Sequence, residues 1–357
     1  MRAFLSALLL LLLFCTPLHA QTQVSKYRPG LTPEGIVYYL PKTALRISVL
    51  TERTTFTAGE LARYADRYLR LNDVGMESFV THRVVGLTVT PIGVADTSKC
   101  YVVPFNVRTA ASNMVLSDEG TLLAVNAEPL PAEEHRPFRP APRPQPADPR
   151  RYLSQEILTA GSSAKKAELT ADDIYEIRES RNLLSRGQAD FMPKDGEQLR
   201  LMLQTLDRQE QALTQLFVGT TERDTTELTI VFAPDGECKN HVLFRLSKQR
   251  GLVDIDDLSG TPYYIDIEDL HMLPAPAAEP MRKKKEPENG IYVNAPGRMR
   301  ATIRHSGQQP VVYETQAAQF GRAELLSGSL FDRRFTTHLT LHPVTGSVER
   351  LEAELPK

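Results

Sequence analysis

Tryptophan is missing from the 357 residues, and only three cysteines and eight histidines are spread among them. The absence of indole weighs against a carbohydrate site built on ring stacking, although twelve tyrosines offer other aromatic faces. Neither sign of charge dominates, since 42 basic and 44 acidic side chains leave a net charge of −2. A near-neutral chain gives no electrostatic reason to bind nucleic acid, and no such partner is expected. Hydrophobic runs are short. Residues 5–14 are nearly all apolar, but a bilayer-spanning helix needs about 20 such residues, so no transmembrane segment is expected in the mature chain. Phosphate-cradling motifs are absent too: neither G-x-x-x-x-G-K-[ST] nor G-x-G-x-x-G occurs, which leaves P-loop and dinucleotide folds without support. No G-x-S-x-G elbow marks an α/β-hydrolase.

What is present begins with a leader. Arg2 supplies a positive start, residues 8–13 are an unbroken leucine run, and Leu18-His19-Ala20 ends on a small residue. Together these read as a secretory signal peptide over residues 1–20 and predict a periplasmic or cell-envelope location. Phe14 before Cys15 argues against a lipoprotein signal, where a small residue is normal. Cys100 and Cys238 then remain, on opposite sides of a proline-rich stretch. Two cysteines make no disulfide framework, and a pair split in this way is expected to stay unbridged.

The length allows two or three domains. The patterning predicts an α+β protein with strand-rich modules flanking a central helical hairpin. A first module over residues 30–128 carries period-two alternation at Leu45, Ile47 and Val49, at Val85, Leu87 and Val89, and at Tyr101, Val103 and Phe105. Within it, Thr57 followed by Glu60 matches a capping box, and Leu61, Tyr64, Ala65, Tyr68 and Leu71 recur at helical spacing. Residues 129–150 are a proline-rich linker, with eight prolines between positions 129 and 149 and Arg136, Arg139 and Arg143 among them. A second module over residues 165–272 opens with two helices. Thr170 with Asp173 and Asp195 with Gln198 fit N-terminal caps, and Gly187 to Pro193 would connect them. The second helix, over residues 196–217, packs Leu199, Met202, Leu206, Leu213 and Leu216 against its predecessor rather than forming a coiled coil, because Gln209 interrupts the seam. Leu228, Ile230 and Phe232, then Pro234-Asp235-Gly236, then Val242, Phe244 and Leu246 predict a β-hairpin. Four prolines surround Arg282-Lys283-Lys284-Lys285, which reads as a solvated linker. A C-terminal β-rich unit follows over residues 290–357, with Phe335, Leu339 and Leu341 leading into a turn at residues 342–346 and then Val348 and Leu351. Gly35-Ile36-Val37-Tyr38-Tyr39-Leu40-Pro41 and Gly290-Ile291-Tyr292-Val293-Asn294-Ala295-Pro296 match with one gap, which suggests an internal duplication.

Several segments resemble a known family. Tyr38-Tyr39-Leu40-Pro41-Lys42-Thr43-Ala44-Leu45, Tyr64-Ala65-Asp66-Arg67-Tyr68-Leu69 and Val94-Ala95-Asp96-Thr97-Ser98-Lys99 are similar to an uncharacterised family of exported Bacteroidetes proteins, classed as a domain of unknown function. Met192-Pro193-Lys194-Asp195-Gly196-Glu197 and Asp257-Leu258-Ser259-Gly260 resemble its later segments, and the likeness spans most of the mature chain. It implies a Gram-negative envelope setting and carries over no catalytic residue.

Candidate chemistry is sparse. Ser162-Ser163-Ala164-Lys165-Lys166 contains S-x-x-K twice, but Ser117-Asp118-Glu119 and Lys42-Thr43-Ala44 miss the companion elements of a penicillin-binding enzyme, so the serines read as flexible linker. His338 and His342 lie in a strand pattern, where residues four apart are about 13 Å apart and no single metal joins them. His241 near Cys238 lacks a third ligand. Asp254, Asp256, Asp257, Asp266, Glu268 and Asp269 are the densest acidic patch, yet Ile265 stands where an EF-hand needs glutamate, and alternation with Ile255, Ile265 and Ile267 suggests a solvated strand face. No cofactor-binding or metal site is therefore expected, and no residue is singled out as catalytic. The function expected is that of an exported cell-envelope protein acting as a non-enzymatic interaction or assembly module, whose partner is another envelope protein or itself. The alternative is a periplasmic hydrolase or glycan-binding protein whose site is assembled from sequence-distant residues.

Overall fold

The computed structural model describes residues 24–29, 34–104, 113–131, 134–143, 147–273, 290–331 and 336–354. The leader, Cys15, Phe105, the Arg282 to Lys285 run and Phe335 lie outside these residues. The fold is α+β and is organised by two antiparallel ribbons. In the first, β2 (Gly35–Thr57) pairs with β3 (Phe79–Pro104). In the second, β10 (Gly290–Arg304) pairs with β11 (Val311–Ser327). At roughly 3.3 Å per residue, the 23 residues of β2 extend about 75 Å, enough to serve two separate cores.

Three sheets result. The first has the order β1 (Ser25–Lys26), β3, β2, β6 (Thr220–Phe232). The second runs β11, β10, β9 (Thr261–Asp269), β7 (Cys238–Ser247), β8 (Gly251–Val253). The third runs β13 (Val348–Glu354), β12 (Thr336–Leu341), β5 (Leu122–Val125), β4 (Met114–Leu116). Pairing thus joins distant stretches of chain, since β6 bonds to β2 and β12 bonds to β5. The inner halves of the first two sheets enclose one core, in which Leu45, Ile47 and Val49 meet Ile265, Ile267, Met299 and Ile303. The other halves of β2 and β10 close a second core with the third sheet, where Tyr38, Leu40, Ile291 and Val293 meet Leu122, Val125, Leu339 and Leu341. Each such side chain, once fully buried, contributes about 1.5–3 kcal/mol relative to exposure.

The alternation at Leu45, Ile47 and Val49 reports a buried face, as expected. At Val85 it does not. A bulge between Leu50 and Thr51 of β2 pushes Val85 outward, 44% exposed, and turns Val84 toward the core in its place. The β6–β7 hairpin is also corrected. β6 belongs to the first sheet and β7 to the second, so the turn at residues 234–236 carries the chain across the sandwich instead of folding it within one sheet. Period-two patterning fixes which face is buried but leaves the hydrogen-bonding partner open.

The repeat of Gly-Ile, tyrosine and proline has a structural counterpart. In β2, Leu40 alone stands opposite residues 96–99 of β3, because Tyr39 pairs with Cys100 and Pro41 with Ala95. In β10, Pro296 alone stands opposite residues 318–321 of β11, because Ala295 pairs with Arg322 and Gly297 with Ala317. Each ribbon therefore carries the same one-against-four irregularity. Two residues before each bulged position, a buried polar side chain grips the other ribbon. The Tyr38 hydroxyl accepts from the Tyr292 amide at 2.9 Å. The Asn294 amide group donates to the carbonyls of Pro41 and Thr345, both at 2.8 Å. Within the bulged stretch of β11, the Gln319 side chain accepts from Thr43 N at 3.0 Å and donates to Thr43 O at 2.9 Å and Pro234 O at 3.1 Å.

The helices stand at one end of the β2–β3 ribbon. A 3₁₀ turn (Ala62–Tyr64) leads into α1 (Ala65–Leu69). The expected capping box at Thr57 and Glu60 is not used: Thr57 still pairs with Thr220 in the sheet, and Glu60 forms an ion pair with Lys166 at 2.8 Å. After the short α2 (Gln155–Leu158), the hairpin consists of α3 (Ser163–Arg186) and α4 (Gly196–Val218). Asp195 caps α4 as expected, accepting from Gln198 N at 2.7 Å. Thr170 does not cap α3, since it lies within the helix and its hydroxyl bonds back to Lys166 O. Leu61, Ala65 and Leu69 pack against Ala167, Ile174, Leu213 and Phe217 to seat the hairpin. Gly219 then passes α4 directly into β6. Its φ of 77° and the Thr57 carbonyl, 2.3 Å from where a Cβ would sit, both demand glycine.

Asn294→Ala leaves two buried carbonyls without a donor and opens a small void. It is expected to destabilise the chain by about 2–4 kcal/mol, read as a lower urea midpoint at unchanged slope.

Candidate functional site

The side chains singled out as candidates for chemistry have structural duties. Ser162 is not flexible linker; it is the N-cap of α3, and its hydroxyl accepts from Lys165 N at 3.2 Å. The two lysines of the S-x-x-K pair point to carboxylates, Lys165 to Glu168 at 3.2 Å and Lys166 to Glu60 at 2.8 Å. A serine occupied with orphan helix amides, with its lysines ion-paired elsewhere, is a poor nucleophile.

His338 lies in β12, where its Nδ1 contacts the Asn126 carbonyl. His342 follows that strand and its Nδ1 accepts from the amides of Val344 and Thr345, at 3.2 and 3.4 Å. An Nδ1 that accepts leaves Nε2 as the donor of the His342 ring. His241 packs at a tilt against Phe232, with ring centres 4.8 Å apart. Cys100 lies in β3 and Cys238 in β7, and both thiols are free. Burial pushes both thiols up from their ordinary range.

The acidic patch is divided. Asp254, Asp256 and Asp257 fall in the turn between β8 and β9, not on a strand. Asp257 accepts from Ser259 N and from Arg250 at 2.9 Å each, which holds its carboxyl below the usual range. Asp266 on β9 is held down in the same way by Arg304 at 2.7 Å and by the Asn240 amide. Among the described residues, no group of three or more His, Cys, Asp or Glu side chains converges as a metal site would require.

A cleft of about 250 Å³ brings together Arg46, Glu134, His135, Arg136 and Glu227, and a second, larger one gathers carboxylates. The second lies beside the seat of the helical hairpin, encloses about 470 Å³, and is lined by Tyr152, Ser154, Asp173, Glu176, Ile177 and Gln209 among others. Burial raises the Asp173 carboxyl above its ordinary range, and the nearby Glu176, Asp172 and Glu156 raise it further, against a hydrogen bond from Ser154. Neither histidine nor cysteine lines the cleft to complete a nucleophile and base. In the sequence Asp173 reads only as a helix-cap partner; the like charges at Asp172 and Glu176 are its local signal, whereas its burial is not legible there.

The surfaces are more distinctive than the clefts. The outer half of the hairpin leaves Phe191 74% and Leu201 50% exposed, with Leu183, Met192 and Met202 partly uncovered beside them in sequence. Arg178–Glu210 at 2.6 Å and Arg181–Asp207 at 2.7 Å hold its two helices together. Residues 134–143 of the proline-rich stretch have no regular secondary structure and lie against β6, where Phe138 N donates to Glu227 at 2.6 Å and Arg143 to Thr225 at 3.3 Å. No described helix is long and apolar enough to cross a membrane.

A family model described as Domain of unknown function (DUF4831) matches residues 34–349, a range that contains every segment on which the resemblance was drawn. No curated protein and no solved structure matches the chain.

Two outcomes follow from these assignments. Ser162→Ala should cost about 1 kcal/mol by thermal or urea unfolding and Ser162→Asp close to nothing, because aspartate caps equally well. For Asp173, a raised folded pKa means its contribution is favourable below the unfolded value and is lost as pH rises through the folded one. Asp173→Asn should therefore raise the urea midpoint at pH 7, and the gain should vanish as pH falls below about 4.

Proposed function

We propose, on the premise that this chain belongs to the family described as Domain of unknown function (DUF4831), that it is an exported cell-envelope protein of a Gram-negative Bacteroidetes cell and serves as a non-enzymatic interaction module. The leader of Arg2, the leucine run and Leu18-His19-Ala20 supports export, with cleavage before Gln21. The exposed apolar end of the helical hairpin carries the rest of the reading. Helix α3 buries Ala167, Ala171 and Ile174 near its start and Leu184 near its end, and α4 buries Ala212, Leu213 and Phe217 near its end. Between those ends, over residues 185–211, no side chain is fully buried. A hairpin of this length is not needed to complete the core that seats it. Its surplus turns, pinned by the arginine ion pairs, present Phe191, Met192 and Leu201 as a rigid apolar projection suited to the apolar surface of another envelope protein. In this reading the strand-rich parts on either side of the helices form the scaffold.

Affinity capture from the envelope fraction tests it, with intact-mass analysis of the bait. The recovered chain should begin at Gln21 and bring down a reproducible partner that Phe191→Asp with Leu201→Asp loses at least tenfold. Recovery of an uncleaved chain from the cytosol would remove the export half. Equal recovery of the same partner by the double variant, or of the bait alone, would remove the interaction half.

A further inference from the structure

The third sheet ends on a strand with an unusual surface. All seven residues of β13 are exposed, and among the described residues the strand bonds to β12 alone. An open edge offers its remaining amides and carbonyls to any chain that can match them. Two observations indicate which chain fits.

The first is an apolar rung that crosses the whole sheet and stops in solvent. Met114 pairs with Val125, Val125 with Leu339, and Leu339 with Leu351. Val125 and Leu339 are fully buried, whereas Leu351 is 41% exposed at the rim. The second is the charge order of the strand itself, Val-Glu-Arg-Leu-Glu-Ala-Glu. When two copies run antiparallel with Leu351 opposite Leu351, Arg350 of each faces Glu352 of the other, Glu349 faces Ala353, and Val348 faces Glu354. Neighbouring registers fail. A shift of one residue sets Glu349 against Glu352 or against Glu354. A shift of two sets Arg350 against Arg350 or Glu352 against Glu352. Like charges placed directly opposite destabilise a strand pair, so the central register is selected.

We infer that β13 is the seat of a two-fold symmetric pairing between two copies of this chain, with the axis through Leu351. The pairing joins two four-stranded sheets into one of eight and continues the apolar rung from Leu351 to Leu351 of the second copy. Both copies use the same patch, as an isologous contact requires. The Arg350–Glu352 ion pair within each strand, at 2.7 Å, becomes part of a four-charge cluster at the axis. Seven residues form a small interface, so the dimer is concentration-dependent.

Sedimentation equilibrium of the full mature chain over a micromolar concentration series provides the test, with melting curves confirming that each variant is folded. Wild type should show a monomer–dimer equilibrium. Arg350→Glu and Glu352→Arg should each weaken it about tenfold or more, since both facing pairs become repulsive. An equimolar mixture of these two variants should recover association, as should the double variant R350E/E352R, because opposite charges face each other again in both cases. A wild type that stays monomeric, single variants that associate as wild type does, or a mixture that stays apart would overturn the inference. The hairpin variant used above separates this pairing from the partner reading. If Phe191→Asp with Leu201→Asp abolishes the dimer while the β13 variants keep it, self-association belongs to the hairpin and β13 is excluded.

Discussion

The structure depends on a reciprocal clasp between two bulged ribbons. Tyr38 reaches from β2 to the backbone of β10, and Asn294 reaches from β10 to the backbone of β2, each two residues before an irregularity where one residue faces four. Gln319 completes the junction by bonding both backbone groups of Thr43. Buried polar groups are costly unless matched, and the Asn294 amide nitrogen is matched by two backbone carbonyls while its Oδ1 is buried without a partner. Remove Asn294 and the carbonyls of Pro41 and Thr345 lose that donor. Burial pushes the Tyr38 hydroxyl far above the ordinary range for tyrosine, so it stays a neutral partner in this junction.

Because the clasp sits between two apolar cores, it also divides the molecule. On one side the long strands pack within the sandwich, and on the other they pack against the third sheet. A polar layer of fixed geometry allows only one relative placement of the ribbons, whereas apolar faces alone would slide. The repeated Gly-Ile and proline segments are the sequence trace of this arrangement, visible before the structure but without a stated purpose.

Much of the local structure was legible in the sequence. The burial of Leu45, Ile47 and Val49, the Asp195 cap, the Gly187 stop and the strand return at residues 342–346 follow from short-range periodicity and capping chemistry. The failures share a physical cause. Thr57 and Glu60 had the right spacing for a helix start, but the ladder to Thr220 and the Lys166 ion pair drew them away. Ser162 read as linker because its cap partner lies in a helix whose first turns are polar. The β6 and β7 pattern was correct for burial and wrong for pairing, since a strand's partner is decided across the sandwich. The cleft around Asp173 could not be found in sequence, because Ser154, Leu206 and Gln209 approach it only after α3 packs on the segment before it and on α4.

The junction at Gly219 gives the molecule a mechanical character. Helix α4 enters β6 without an intervening loop, and β6 is bonded to β2 along its entire length, from Thr220 opposite Thr57 to Phe232 opposite Leu45. A pull on the helical projection along the strand axis is therefore delivered lengthwise. It strains every bond of that ladder together in shear instead of unzipping them in turn, so the tether between projection and scaffold yields only when the whole strand does.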